Sequence, residues 1–152
     1  MSIYVDGCCN KTIGSCASVV DSSGNDLIGP YLDFLSHFKF LDSFPVKHHN
    51  NRIVYEVEFT DITSQQNNGC ELVAMCIGLV IAIYYKFDTI YSDSTLIIQH
   101  WSNKESKNIK DPLKAKIQRY CIELRRIFER RGGQIKFVPG DHNLADLGFH
   151  KK

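Results

Sequence analysis

A chain of 152 residues, 43% hydrophobic and 23% charged, is long enough to bury one sizeable core and too apolar to be disordered throughout. Eighteen basic side chains against seventeen acidic ones leave a formal charge of +1, which excludes a strongly basic wrapper of nucleic acid and an acidic tail protein alike. The six cysteines (Cys8, Cys9, Cys16, Cys70, Cys76, Cys121) form no CxxC pair and no small secreted framework, so a single domain over residues 1–152 in an intracellular, reducing compartment (cytoplasm or nucleus) is expected.

In chain order, residues 2–6 and 15–20 are predicted as two strands joined by a polar turn, with DSSGND (21–26) as the next turn. Residues 27–50 are aromatic-rich and interrupted by Pro30 and Pro45, and no periodicity assigns them an element. From Arg52, RIVYEVEFT puts Ile53, Tyr55, Val57 and Phe59 on one face and Arg52, Glu56 and Glu58 on the other, which is strand periodicity. The apolar run Leu72–Tyr85 falls short of the roughly 20 residues a membrane span needs. It reads as a core helix starting near Cys70, covered on several sides, and no membrane partner is expected. TIYS is a short strand ending at Asp93, and STLIIQHWS begins another helix. After a lysine-rich connector, Asp111 can cap and Pro112 can open a helix whose apolar stripe is Leu113, Ile117, Tyr120, Cys121, Leu124, Ile127 and Phe128. Gly132-Gly133 stops it, QIKFV is a last strand, and DHNLADLGFHKK is a short final helix or turn. The order β-β-β-α-β-α-α-β-α predicts an α/β fold: a mixed sheet with an antiparallel and a parallel side, flanked by helices.

Four carboxylates stand in special places: Asp6 ends the first strand, Glu71 opens an otherwise apolar helix, Asp93 ends the fourth strand and Asp146 lies in NLAD beside the last. Singly, each has an ordinary reading: a turn Asp-Gly, a first-turn acid favoured by the helix dipole, an N-cap, a surface acid. Together they are harder to dismiss, because parallel pairing of the first and fourth strands would bring Asp6 and Asp93 to the edge where ligands bind in open α/β sheets. Close carboxylates repel, and two divalent cations ~4 Å apart would remove the repulsion while activating water for phosphodiester cleavage. Oxygen donors favour Mg²⁺ or Mn²⁺. The alternative zinc set of Cys8, Cys9, Cys16, His48 and His49 lacks the spacing of known zinc sites.

YVDG in the first strand, NNGCELVA at the helix start, YSDSTLII in the fourth strand and VPGDHNLAD at the C-terminus, in that order, resemble the type I ribonuclease H family. The resemblance spans Tyr4 to Asp146. It implies a ribonuclease H-like fold with a five-stranded mixed sheet, acting as a monomer on RNA/DNA hybrid duplexes. The RNA strand would be hydrolysed with two Mg²⁺ ions, Mn²⁺ being an alternative, to leave 5′-phosphate and 3′-hydroxyl ends. Asp6, Glu71, Asp93 and Asp146 would be both catalytic residues and metal ligands. Gly7, Cys8, Asn67, Asn68, Ser94 and Thr95 would contact substrate, with Asn10, Gln66 and His142 as auxiliaries. A hybrid shows its 2′-hydroxyls in a wide minor groove, where Asn67 and Asn68 are placed to read them. Lys104, Lys107, Lys110, Lys114, Lys116 and Arg119, with Trp101 before them, resemble the basic handle of some family members. Two other readings stand beside this one: a nuclease of the same fold acting on branched DNA, and a nuclease or binding module of a reverse-transcriptase-like assembly.

Overall fold

The computed structural model describes residues 1–10, 14–49, 51–59, 66–105, 109 and 111–146; of Cys9, Asn10, Gly14, Gln66 and Asn67 it describes the backbone alone. Among the described residues, β1 (Ser2–Asn10), β2 (Gly14–Asp21), β3 (Val46–His49), β4 (Arg52–Glu56), β5 (Thr89–Ser92) and β6 (Gln134–Phe137) form one sheet in the order β3-β4-β2-β1-β5-β6. The β3, β4, β2 and β1 neighbours pair antiparallel, and β1, β5 and β6 pair parallel. The mixed α/β sheet is therefore as expected, with one strand more than the five implied. The extra strand is β3, an edge segment of the unassigned stretch; VKHH lacks the apolar alternation that would announce it.

The same stretch supplies α1 (Leu32–Leu35) and a 3₁₀ turn at Lys39–Leu41. It packs by aromatic contacts, Tyr31 stacking on Tyr85 and Phe34 meeting Tyr84 and Tyr85 edge-on or tilted. The strand after Arg52 is shorter than RIVYEVEFT suggests, ending at Glu56; on its inner face Tyr55 is buried and Ile53 half-buried, and Val57 and Phe59 are buried beyond its end. Its outer face carries one buried residue, Val54, which packs with Cys8 and Cys16.

The core helix α2 (Gln66–Tyr85) begins four residues earlier than expected, because the polar Gln66, Asn67 and Asn68 carry no apolar periodicity. Over Asn68–Tyr85 it is long and apolar enough to cross a membrane by length and composition, which corrects the shorter sequence count. Its surroundings are protein: 78% of that window is buried, between the sheet and α3 (Pro112–Arg130). Arg131 closes its C-terminal end by donating to the carbonyls of Ala82 and Phe87.

Asp111 caps α3 as expected, accepting from the Leu113 and Lys114 N–H groups at 2.9 and 3.1 Å, and Pro112 follows it. The buried face is rotated from the predicted stripe. Ile127 is 48% exposed, whereas Lys114, Gln118 and Arg125 are buried. Arg125 donates to the Ile98 carbonyl and the Ser102 hydroxyl, fixing a five-residue π turn (Ile97–Trp101) where the sequence suggested a longer helix.

Candidate metal centre

Strand register builds the site. In the β1–β5 pair Ile3 lies beside Ile90 and Tyr4 beside Tyr91, and the two tyrosine rings stack at 4.8 Å. Two residues further along each strand are Asp6 and Asp93. Asp6 and Asp93 both lie just past the parallel-paired residues, but Asp6 does not end its strand as expected: β1 runs on to Asn10, because CCN continues the antiparallel ladder with β2, while Asp93 directly follows β5. The third acid arrives on α2, which touches β1 main chain to main chain at Gly7. A Cβ there would stand 2.2 Å from the Glu71 nitrogen. With no side chain in the way, the Gly7 N–H donates to Glu71 Oε1 at 2.9 Å.

Asp6, Glu71 and Asp93 each offer an oxygen within 4.8 Å of the other two. Asp6 is 2% exposed and Glu71 5%. Burial pushes the Glu71 carboxyl well above its usual range, the nearby Asp6 charge and contact add to this, and Asp93 adds further; the Gly7 N–H pulls the other way. Glu71 Oε2 is buried without a hydrogen-bond partner. Three clustered hard oxygen donors, one with a buried oxygen to spare, fit a hard divalent cation. It is the only such cluster of three or more possible ligands among the described residues. The alternative zinc set has no counterpart among them: Cys8 and Cys16 face each other across β1–β2, without a third N or S ligand in reach.

The C-terminal loop approaches from above the same face. Asn143, 5% exposed, donates from Nδ2 to the Val5 carbonyl at 2.9 Å and to Asp93 Oδ2 at 3.3 Å, while its Oδ1 accepts the Ala145 N–H. Arg52 of β4 donates to the carbonyls of Leu144, Ala145 and Asp146 at 2.9, 3.1 and 3.3 Å. Half-buried Asp146 does not join the set in which all oxygens lie within 4.8 Å. Neither Asn143 nor Arg52 was among the residues singled out as ligands or substrate contacts. Asn143 lies in the quoted VPGDHNLAD block, a signal that was available; Arg52 had none beyond the polar face of its strand.

The other expected contacts distribute unevenly. What approaches Gly7 is α2, and its N–H is committed to Glu71, so the glycine builds the site and its open side does not face a groove. Cys8 is buried in the β1–β2 ladder opposite Cys16. Its thiol is pushed up by the hydrogen bond with Cys16 and by burial. Cys16 is lowered to about 7 by that bond and by Lys47, against its own burial. Asn68 is half-buried in the first turn of α2. The side chains of Asn10, Gln66 and Asn67 lie outside the described residues. Ser94 accepts the Ile97 N–H at 3.2 Å and so caps the next turn itself, in place of Asp93; Thr95 and His142 are exposed.

Among the described residues, not every member of the basic segment is on the surface. Lys107 and Lys110 lie outside the described residues, Lys104 and Lys116 are exposed, and Arg119 pairs with Glu105 at 3.8 Å. Lys114 is fully buried, its ammonium 5.0 Å from the centre of the Phe59 ring, because it occupies the inner face of α3. It cannot grip a duplex.

No family model and no curated protein matches the sequence. Solved structures do. Ribonuclease H1 from the halophilic archaeon Halobacterium salinarum is similar at 18% identity and a TM-score of 0.50, over 95% of this chain and 89% of that one. The N-terminal ribonuclease H domain of a Mycobacterium tuberculosis protein, solved as a fusion with maltose-binding protein, is similar at 17% and 0.48, over 93% and 84%. The chain has the ribonuclease H-like fold.

Proposed function

We propose that the protein is a metal-dependent endonuclease that hydrolyses the RNA strand of RNA/DNA hybrids, leaving 5′-phosphate and 3′-hydroxyl ends. The observation that carries this reading is the convergence of Asp6, Glu71 and Asp93 from three separate elements of a ribonuclease H-like fold. A cluster of negative charge aimed at phosphates weakens a mere binding module, which favours catalysis over passive recognition.

Asp6, Glu71 and Asp93 would hold two Mg²⁺ ions, or Mn²⁺, with Asp146 as the fourth ligand; such ions neutralise the cluster, lower the pKa of water and polarise a phosphate. The chain's own groups do the holding. The Gly7 N–H fixes one Glu71 oxygen and leaves the other available, and the Asn143 amide steadies Asp93. Asn68, with Asn67, is assigned the reading of 2′-hydroxyls in the minor groove, and exposed Thr95 a phosphate contact. His142 is assigned an auxiliary part in proton transfer or product release, for which its exposure in the loop suits it. The working form is a monomer in a reducing compartment.

The test is cleavage of a labelled hybrid duplex with Mg²⁺, beside a four-way DNA junction and RNA and DNA duplexes, repeated with Asp93→Asn. Cleavage of the RNA strand of the hybrid alone, lost in the variant, is expected. Equal activity in Asp93→Asn would end the metal assignment, and preference for the junction would transfer the reading to branched DNA.

A further inference from the structure

We propose that Arg52 is a positioning residue that fixes the C-terminal loop, and through it the Asp146 carboxylate, relative to the acidic cluster. This rests on the reading of that cluster as a cation site. Three consecutive carbonyls, of Leu144, Ala145 and Asp146, converge on one guanidinium, Nη1 taking two of them and Nη2 the third. Successive carbonyls of an extended chain point to opposite sides, so a single planar fork can collect three only if the loop is held in a tight curve. The curve sets the direction in which the Asp146 side chain leaves the backbone. A lysine has no fork and cannot reproduce it.

The anchor is stiff where it needs to be. Arg52 starts β4, pairs directly with His49 of β3, and follows Asn51 at φ 65°, a left-handed conformation that asparagine tolerates. Further along, β4 is also laddered to β2. The loop's second anchor is Asn143, on the Val5 carbonyl of β1. The two anchors grip the loop at separate strands, and Ala145 between them is fully buried. The partners of Arg52 here are main-chain oxygens, so its charge serves the loop's shape and is not spent on substrate phosphate.

The experiment measures Mn²⁺ binding by titration calorimetry on the full chain, for the wild type, Arg52→Met, Arg52→Lys, Asp146→Ala and the double variant Arg52→Met with Asp146→Ala. Loss of an outer partner of a metal ligand weakens metal binding by about 10- to 100-fold, and we expect a loss of that order in Arg52→Met with only partial recovery in Arg52→Lys. In the Asp146→Ala background the same change is expected to add less than about twofold, since it acts through a carboxylate already removed. Amide exchange at residues 143–146 is expected to accelerate in Arg52→Met while that of β1 and β5 holds, which separates a loosened loop from a damaged fold. Unchanged Mn²⁺ affinity in Arg52→Met, or an equal loss in both backgrounds, would overturn the proposal. Wild-type protein that binds Mn²⁺ but leaves hybrids intact would remove the nuclease reading and leave the Arg52 comparison valid; absence of Mn²⁺ binding would overturn both.

Discussion

Replacing Gly7 with alanine forces apart the two elements that deliver Asp6 and Glu71. The added Cβ would stand 2.2 Å from the Glu71 nitrogen, 2.3 Å from the Cys70 carbonyl carbon and 2.6 Å from its oxygen. All three are main-chain atoms, so no side chain can swing aside. Restoring ordinary contact requires α2 and β1 to separate by about 1.2 Å, which carries the 2.9 Å bond from Gly7 to Glu71 beyond hydrogen-bonding range. Overpacking costs ~1–3 kcal/mol. Losing a buried hydrogen bond to a carboxyl costs ~1.5–3 kcal/mol. Because the two overlap, the total falls below their sum, and we expect a loss of about 2–4 kcal/mol, or a fall in Tm of about 10 °C for a chain of this size. The assay is thermal melting by circular dichroism, with and without Mg²⁺, and with Gly24→Ala as the comparison. Gly24 has φ 81° and open space around it, so alanine there meets no atom and carries only the strain of a left-handed residue, about 1–2 kcal/mol. A Gly7→Ala protein that melts within about 2 °C of wild type, with unaltered Mg²⁺ stabilisation, would refute the claim that helix–strand contact sets the site.

Glu71 has a folded-state pKa above its ordinary value of 4.5, so its contribution favours folding below that value and is lost as pH rises through the folded pKa. Metal-free protein in a chelator is therefore expected to lose stability from Glu71 as pH climbs above 4.5; Glu71→Gln flattens the trend, and Mg²⁺ reverses it, all read from melts across pH. Lys114→Ala removes a buried stem and is expected to cost ~2–4 kcal/mol in denaturant titrations. It should leave the salt dependence of hybrid binding unchanged, whereas exposed Lys104 and Lys116 changed to alanine together should flatten it. Lys47→Met removes one of the causes that lower Cys16, and ultraviolet thiolate titration should show that thiol rising from about 7 toward its ordinary 9.0.

Much of the centre was legible because its signals are local. YVDG carries an acid within an apolar strand and TIYS ends beside one, and the parallel pairing of these two strands that brings Asp6 and Asp93 together is suggested by their helix-linked order; that β1 continues past Asp6 to Asn10 is not, since GCCN has the composition of a turn. Glu71 was legible as an acid in an apolar run, but its true position in the second turn of α2 was not, since QNN has the composition of a loop. The less legible parts depend on distant partners. Lysine at position 114 reads as surface by residue type and is buried because α3 turns it onto Phe59 and Gly69. The hold of Arg52 on residues 92–94 positions away leaves no trace in either local pattern. Strand β3 escaped because an edge strand with alternately exposed and half-exposed residues has no apolar period to read.

The acidic centre thus has parts of unequal permanence. Asp6, Glu71 and Asp93 ride on elements that come apart only when the whole molecule melts, whereas the C-terminal arm is moored by a handful of side-chain hydrogen bonds, from Arg52 to its carbonyls and from its own Asn143 to Val5 and Asp93. Mild heat or denaturant should cast off that arm first, silencing the protein while its spectroscopic signature is still native.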